Sequence, residues 1–70
     1  MKVRLSDNLR ELLQEKGICQ TQLAREVQIS QSAISNWLSE KKEPRIESLW
    51  RLADYFNVTI DQLVGREKLY

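Results

Sequence analysis

From Val27 to Ser39 the chain carries no ionisable side chain, although 30% of its residues are charged. The polar residues of this stretch are short amides and hydroxyls: Gln31, Ser32, Ser35, Asn36 and Ser39. Their spacing puts them on one side of a helix, with Ile34, Trp37 and Leu38 on the other. An ordinary solvated helix face carries Lys and Glu, and the plain alternative for these side chains is such a face. Amides and hydroxyls match a different task. The major groove of duplex DNA displays donors and acceptors on base edges, and Gln or Asn binds adenine in a bidentate way, each good pair discriminating by roughly 1–3 kcal/mol. Ser serves either kind of group, and short side chains allow close approach. Gln31, Ser32, Ser35 and Asn36 are therefore the candidate base contacts.

Basic residues bracket this stretch. Arg25 precedes it, and Lys41, Lys42 and Arg45 follow it. Gln20 opens the preceding helical segment, where unpaired backbone N–H groups favour a phosphate. Phosphate contacts position a protein on DNA and base contacts specify sequence, so Gln20, Lys41, Lys42 and Arg45 are the candidate phosphate contacts. Glu40 and Glu43 weaken the local field, and a formal net charge of only +1 means that placement of charge, not its total, carries the reading.

Other chemistries are poorly supplied. There is no His, no Gly-rich phosphate loop and no HExxH or GxSxG pattern. One cysteine, Cys19, excludes an internal disulfide and argues against zinc. At a helix start its thiol pKa falls, but without a second Cys or a His it reads as a substituted cap rather than a redox sensor. Asp54 and Asp61 fall on separate short helices with no His to partner them. No enzyme, metal or cofactor is expected. The start MKVRLSDN lacks an apolar core, and the longest apolar runs are pairs such as Leu12-Leu13, so neither a signal peptide nor a membrane span is read; a cytoplasmic protein, bacterial or phage-encoded, is expected.

Five short helices must position these residues. Leu5, Leu9, Leu12 and Leu13 mark the first, with Ser6, Asp7 and Asn8 to cap it, Gly17 to end it and Ile18 folding back on Leu13. The second runs from Gln20 to Val27 with Leu23, Ala24 and Val27 inward; Cys19, at its cap position, is a weak acceptor. Ser30 caps the third, from Gln31 to about Ser39. The fourth runs from about Arg45 to Phe56, with Ile46, Leu49, Leu52, Ala53 and Phe56 on one broad face and Trp50 at its edge. Thr59 and Gln62 fit a capping box for the fifth, which has Ile60, Leu63 and Val64 as its inner face and stops at Gly65. Residues 66–70 are a tail, whose Leu69 and Tyr70 suit either a free end or a dimer contact. Seventy residues with two Gly and one Pro fit a single all-α domain over 1–70, a compact five-helix bundle.

The segment QTQLAREVQISQSAISNWLS, residues 20–39, resembles the helix-turn-helix of the phage repressor and Cro family in Gln20, Leu23-Ala24, Val27, Ile29-Ser30 and Ile34. The run downstream is similar to the same family in Pro44, Leu49, Leu52 to Val58, Ile60-Asp61 and Leu63, so the likeness covers about residues 5–65. It implies a lambda-repressor-like fold and a DNA-binding transcriptional regulator, a repressor, whose third helix enters the major groove. It also implies a phosphate contact for Gln20, base reading by Gln31, Ser32 and Asn36 with Ser35 nearby, and backbone contacts from Lys41 and Lys42. Members commonly bind as homodimers to two-fold operators with half-sites about 34 Å apart.

This chain departs from the pattern at four positions. Gln28 stands where the family has Gly in the turn; a left-handed backbone there would cost Gln about 1 kcal/mol, so a slightly different turn is expected. Glu40 stands where Gly often precedes the basic loop residue, and its charge opposes a phosphate at Lys41. Cys19 and Arg45 stand where Ser or Thr caps the second and fourth helices. The alternative function is a protein-interaction module on the same fold, such as an antitoxin or an antirepressor partner, using an exposed aromatic edge of Trp50, Tyr55 and Tyr70.

Overall fold

The structure, a computed structural model, describes residues 4–68, and Leu69 and Tyr70 of the expected tail lie outside them. Five helices follow one another: α1 (Leu5–Lys16), α2 (Gln20–Val27), α3 (Gln31–Leu38), α4 (Ile46–Phe56) and α5 (Ile60–Val64). No strand occurs among the described residues. The five most deeply buried large side chains are Leu9, Leu23, Ile34, Leu52 and Leu63, one from each helix. Helical spacing gives each amphipathic segment a central apolar residue, and the five belong to one core cluster. Around them close Leu5, Leu12, Leu13, Val27, Trp37, Leu38, Ala53 and Phe56, so Trp37 is core as its spacing required. The α3 helix is cradled by α1 and α2, while α5 rests on α1 and α4.

The helix ends follow the local chemistry in most places. Gly17 ends α1 at φ 69°, and the Ile18 N–H donates to the Leu13 carbonyl at 3.1 Å, the fold-back expected of a residue after a left-handed cap. Ser30 Oγ accepts from the Ala33 N–H at 3.2 Å, and the Thr59–Gln62 box forms in both directions at 3.0 and 2.9 Å. Ser39 and Arg45 flank α3 and α4 as their caps rather than joining them. Neither Cys19 nor Arg45 makes a side-chain cap.

Three expectations are corrected. Ser6, Asp7 and Asn8 do not cap α1, which starts one turn earlier at Leu5 with Arg4 in the cap position. Ser6 is instead buried, and Asn8 Nδ2 donates to the carbonyls of Gln62 and Leu63, each at 3.1 Å, closing the far end of α5. Ile46 does not join the core face: it is 69% exposed and Trp50 one turn on is 64% exposed, so the packed face of α4 is carried by Leu49, Leu52, Ala53 and Phe56. Gln28 takes the left-handed conformation, φ 58° and ψ 44°, so the glycine geometry of the turn is kept without glycine. Glu40, the other replaced glycine position, is also left-handed at φ 61°.

Candidate nucleic-acid interface

The exposed side of α3 presents Gln31, Ser32 and Ser35, with Asn36 half-buried beside them. Burial of Ile34, Trp37 and Leu38 fixes the roll of the helix and forces this face outward. Its ends are held from three sides. The Ser30 cap sets its start. Ser39 Oγ donates back to the carbonyls of Ser35 at 3.0 Å and Asn36 at 3.3 Å. Arg10 Nη2 on α1 donates to the Leu38 carbonyl at 2.8 Å.

The loop beyond α3 folds back on it. The left-handed Glu40 reverses the chain, and the backbone N–H groups of Lys41 and Lys42 donate to the Asn36 carbonyl at 2.9 and 3.5 Å. The loop then leads through Pro44 into α4. One open groove results, lined among others by Ser32, Asn36, Lys42, Arg45 and Ser48. Two of the four candidate base contacts and two of the four candidate phosphate contacts thus border a single depression. Gln31 and Ser35 lie on the same helix outside its lining, and Lys41 is exposed on the loop beside it. Gln20 is half-buried at the first position of α2, away from this groove. Ser48 was not legible as a groove residue; it follows Arg45 by one helical turn, and only the fold of the loop brings that turn to α3. Glu43 also lines the groove and keeps its charge mixed.

Helix-end electrostatics separate α2 and α3 from the rest. Asp7, Glu47 and Asp61 occupy the first turns of α1, α4 and α5, offsetting the positive ends of those dipoles. The first turns of α2 and α3 contain no acid. Their amino ends stay electropositive, which suits an anion. At the α2 end the exposed Cys19 thiol is held below its ordinary pKa by the backbone N–H groups that face it, the Gln22 amide chiefly, although no cap hydrogen bond closes. Among the described residues no group of three or more metal-ligating side chains converges, and no helix is long and apolar enough to cross a membrane.

Comparison with known proteins bears on the family and the fold. A family model described as helix-turn-helix matches residues 9–63. The chain is 39% identical over 67 residues to the HTH-type transcriptional activator BcrR of Enterococcus faecalis, covering 96% of this chain and 33% of that protein. It is 37% identical over 62 residues to the HTH-type transcriptional regulator AnsR of Bacillus subtilis, covering 89% of this chain and 53% of that one. The HTH-type transcriptional regulator ImmR of the same organism is 28% identical over 65 residues, covering 93% of this chain and 51% of ImmR. The chain therefore spans between a third and about half the length of these relatives. A crystal structure of a transcriptional regulator from Listeria innocua superposes with a TM-score of 0.86 at 31% identity, over 100% of this chain and 65% of that one. With a family match over most of its length, five helices in the expected order and α3 presented as described, the chain belongs to the helix-turn-helix family of phage repressor and Cro-type DNA-binding domains.

Proposed function

We propose that the protein is a sequence-specific regulator of transcription that reads duplex DNA with α3 in the major groove. The observation that carries this reading is the uncharged outward face of α3, meeting Lys42 and Arg45 across one groove. Gln31, Ser32, Ser35 and Asn36 read base edges. Lys41, Lys42 and Arg45, with Gln20 at the electropositive start of α2, hold the flanking phosphates. Two copies bind a two-fold operator, and occupancy of the site represses the gene beneath it; the protein acts in the cytoplasm.

Selection from random duplex DNA at about 50 mM salt, where ionic attraction is strong, tests this. An enriched inverted repeat is the expected result, lost when Gln31 and Asn36 are both changed to Ala. A folded, helical sample that enriches nothing overturns it.

One observation favours a second reading. Ile46 and Trp50, a helical turn apart on α4, form an exposed apolar pair suited to a protein partner, such as a cognate toxin or an antirepressor. Tyr55 does not extend this patch, because its hydroxyl donates to Glu26 and its ring packs against the core, and Tyr70 lies outside the described residues. Binding of a protein that survives the Gln31 and Asn36 changes but not Trp50→Ala would establish it.

A further inference from the structure

The turn between α2 and α3 sets the angle at which the reading helix leaves its support. Three backbone features define it. The Gln28 and Ile29 N–H groups both donate to the Ala24 carbonyl, the second at 3.1 Å, and Gln28 itself is left-handed. That conformation is one L side chains rarely adopt, and Gln28 is exposed, so packing does not impose it. A group from outside the motif reaches it. Arg51 on α4 donates through Nη1 to the Gln28 carbonyl at 3.3 Å, while Nη2 of the same guanidinium is held by Glu47 at 3.0 Å. Glu47 and Arg51 are one turn apart, so the carboxylate aims the guanidinium before it meets the turn. A planar fork with donors on both arms is what this bridge requires, and a lysine could not make both contacts in one plane.

We propose that Arg51 is a positioning residue for base reading, strapping the left-handed Gln28 carbonyl to α4 and so fixing the angle of α3. The lever is long enough to matter. An eight-residue helix spans about 12 Å, so a swing of roughly 10° at the turn moves its far end by about 2 Å, beyond the tolerance of about 0.5 Å for a productive contact. The strap and the strain belong together: a glycine in the turn would take this backbone without steric cost, and the present chain has Gln there.

The proposal rests on α3 being the reader, and the experiment separates the two. Affinities for the selected operator and for a scrambled duplex are measured at several salt concentrations for wild type, Arg51→Gln, Gln28→Gly and the double variant. Arg51→Gln should lower the ratio of specific to non-specific affinity by about tenfold, the scale of one lost base contact, with circular dichroism and salt slope unchanged. Gln28→Gly alone should keep the wild-type ratio, and in that background Arg51→Gln should change it by less than about twofold. Arg51→Lys, which keeps the charge and the stem, should fall between and serves if the Gln variant is poorly folded. Equal loss of both affinities with a reduced salt slope would make Arg51 a phosphate contact and overturn the proposal. So would a loss that Gln28→Gly does not rescue, or no loss at all. A wild type without sequence preference would remove the reading of α3 itself, and the strap's role with it.

Discussion

Arg10 Nη2 donates to the carbonyl oxygen of Leu38 across 2.8 Å, joining the middle of α1 to the last residue of the helix that presents the candidate base contacts. The last carbonyls of any helix lack intrahelical donors. In α3 those of Ser35 and Asn36 are taken by Ser39 and the following loop, and that of Leu38 is taken by this guanidinium. The bond is charge-assisted and part-buried, so it should be worth more than an exposed ion pair. Arg10→Ala is expected to destabilise the domain by about 1.5–3 kcal/mol. Urea unfolding should show the lower midpoint with an unchanged slope, since the surface exposed on unfolding stays the same.

The two glycines should respond unequally to substitution. Both are left-handed, Gly17 at φ 69° and Gly65 at φ 92°. A Cβ on Gly17 would meet open space, so Gly17→Ala should cost only the conformational strain, about 1–2 kcal/mol. A Cβ on Gly65 would fall 2.9 Å from the Arg4 Cβ, where the chain start runs back along the end of α5 through the Arg4 N–H to Val64 carbonyl bond at 3.0 Å. Gly65→Ala should therefore be the worse of the two by thermal melting. Equal shifts in Tm would show that the chain start yields freely.

The five helices and their central residues were legible because each segment repeats its apolar side chains at helical spacing, and Leu9, Leu23, Ile34, Leu52 and Leu63 needed no further information. The uncharged face of α3 was legible for the same reason, since its polar residues occupy the side opposite Ile34, Trp37 and Leu38. What could not be read were contacts between residues far apart in the chain. Asn8 looked like a local cap, but its partners are Gln62 and Leu63, at the other end of the sequence. Arg10 and Arg51 carry no signal in the local pattern, and each reaches a carbonyl at one end of α3 or in the turn before it, 28 and 23 positions away. Ile46 carries the right spacing for the core, but spacing does not say where along α4 the packed face begins. The left-handed Gln28 runs against local preference, and nothing in the spacing of an exposed glutamine announces it.

Cys19 supplies a pH-dependent readout of the α2 amino end. The Gln22 N–H favours the thiolate, so the folded pKa lies below the unfolded one. A depressed acid pKa contributes stability that is present above the unfolded value and lost as pH falls through the folded value. Alkylation of the folded protein should accordingly reach half its maximal rate at a lower pH than alkylation of the urea-unfolded chain. Coincident profiles would show that the amide does not act on the sulfur. Cys19→Ser should raise the urea midpoint of the domain, because a hydroxyl is the better acceptor for the Gln22 N–H and does not ionise.

Tyr55 behaves in the opposite sense. Its hydroxyl donates to Glu26, and that bond is the main reason its pKa is raised, with burial and the carboxylate's charge adding to it. A raised pKa means a contribution fully present below the unfolded value and lost as pH rises through the folded one. The advantage of wild type over Tyr55→Phe in urea unfolding should thus hold at neutral pH and vanish as the pH climbs past the ordinary tyrosine value of about 10. Lys16 Nζ, 4.5 Å from the centre of the Tyr55 ring, keeps its cation–π contact with Phe, so the difference isolates the hydroxyl. An advantage that persists at high pH would assign it to packing instead.

The division between reading and holding can be tested within the groove itself. Lys42 and Asn36 both line it and their backbones share a hydrogen bond of 3.5 Å, yet the proposed roles differ in kind. A phosphate contact releases condensed counterions and a base contact does not. Lys42→Ala should weaken binding to operator and scrambled duplex by similar factors and reduce the slope of log affinity against log salt by about 1. Asn36→Ala should leave that slope in place and remove about 1–3 kcal/mol of discrimination at one base pair. The backbone N–H of Lys42 survives either change, so the loop keeps its seat on the Asn36 carbonyl and the two variants differ only in the side chain lost. If Asn36→Ala lowered the salt slope and Lys42→Ala altered base preference, the roles would be exchanged and α3 would lie across the phosphates rather than in the groove.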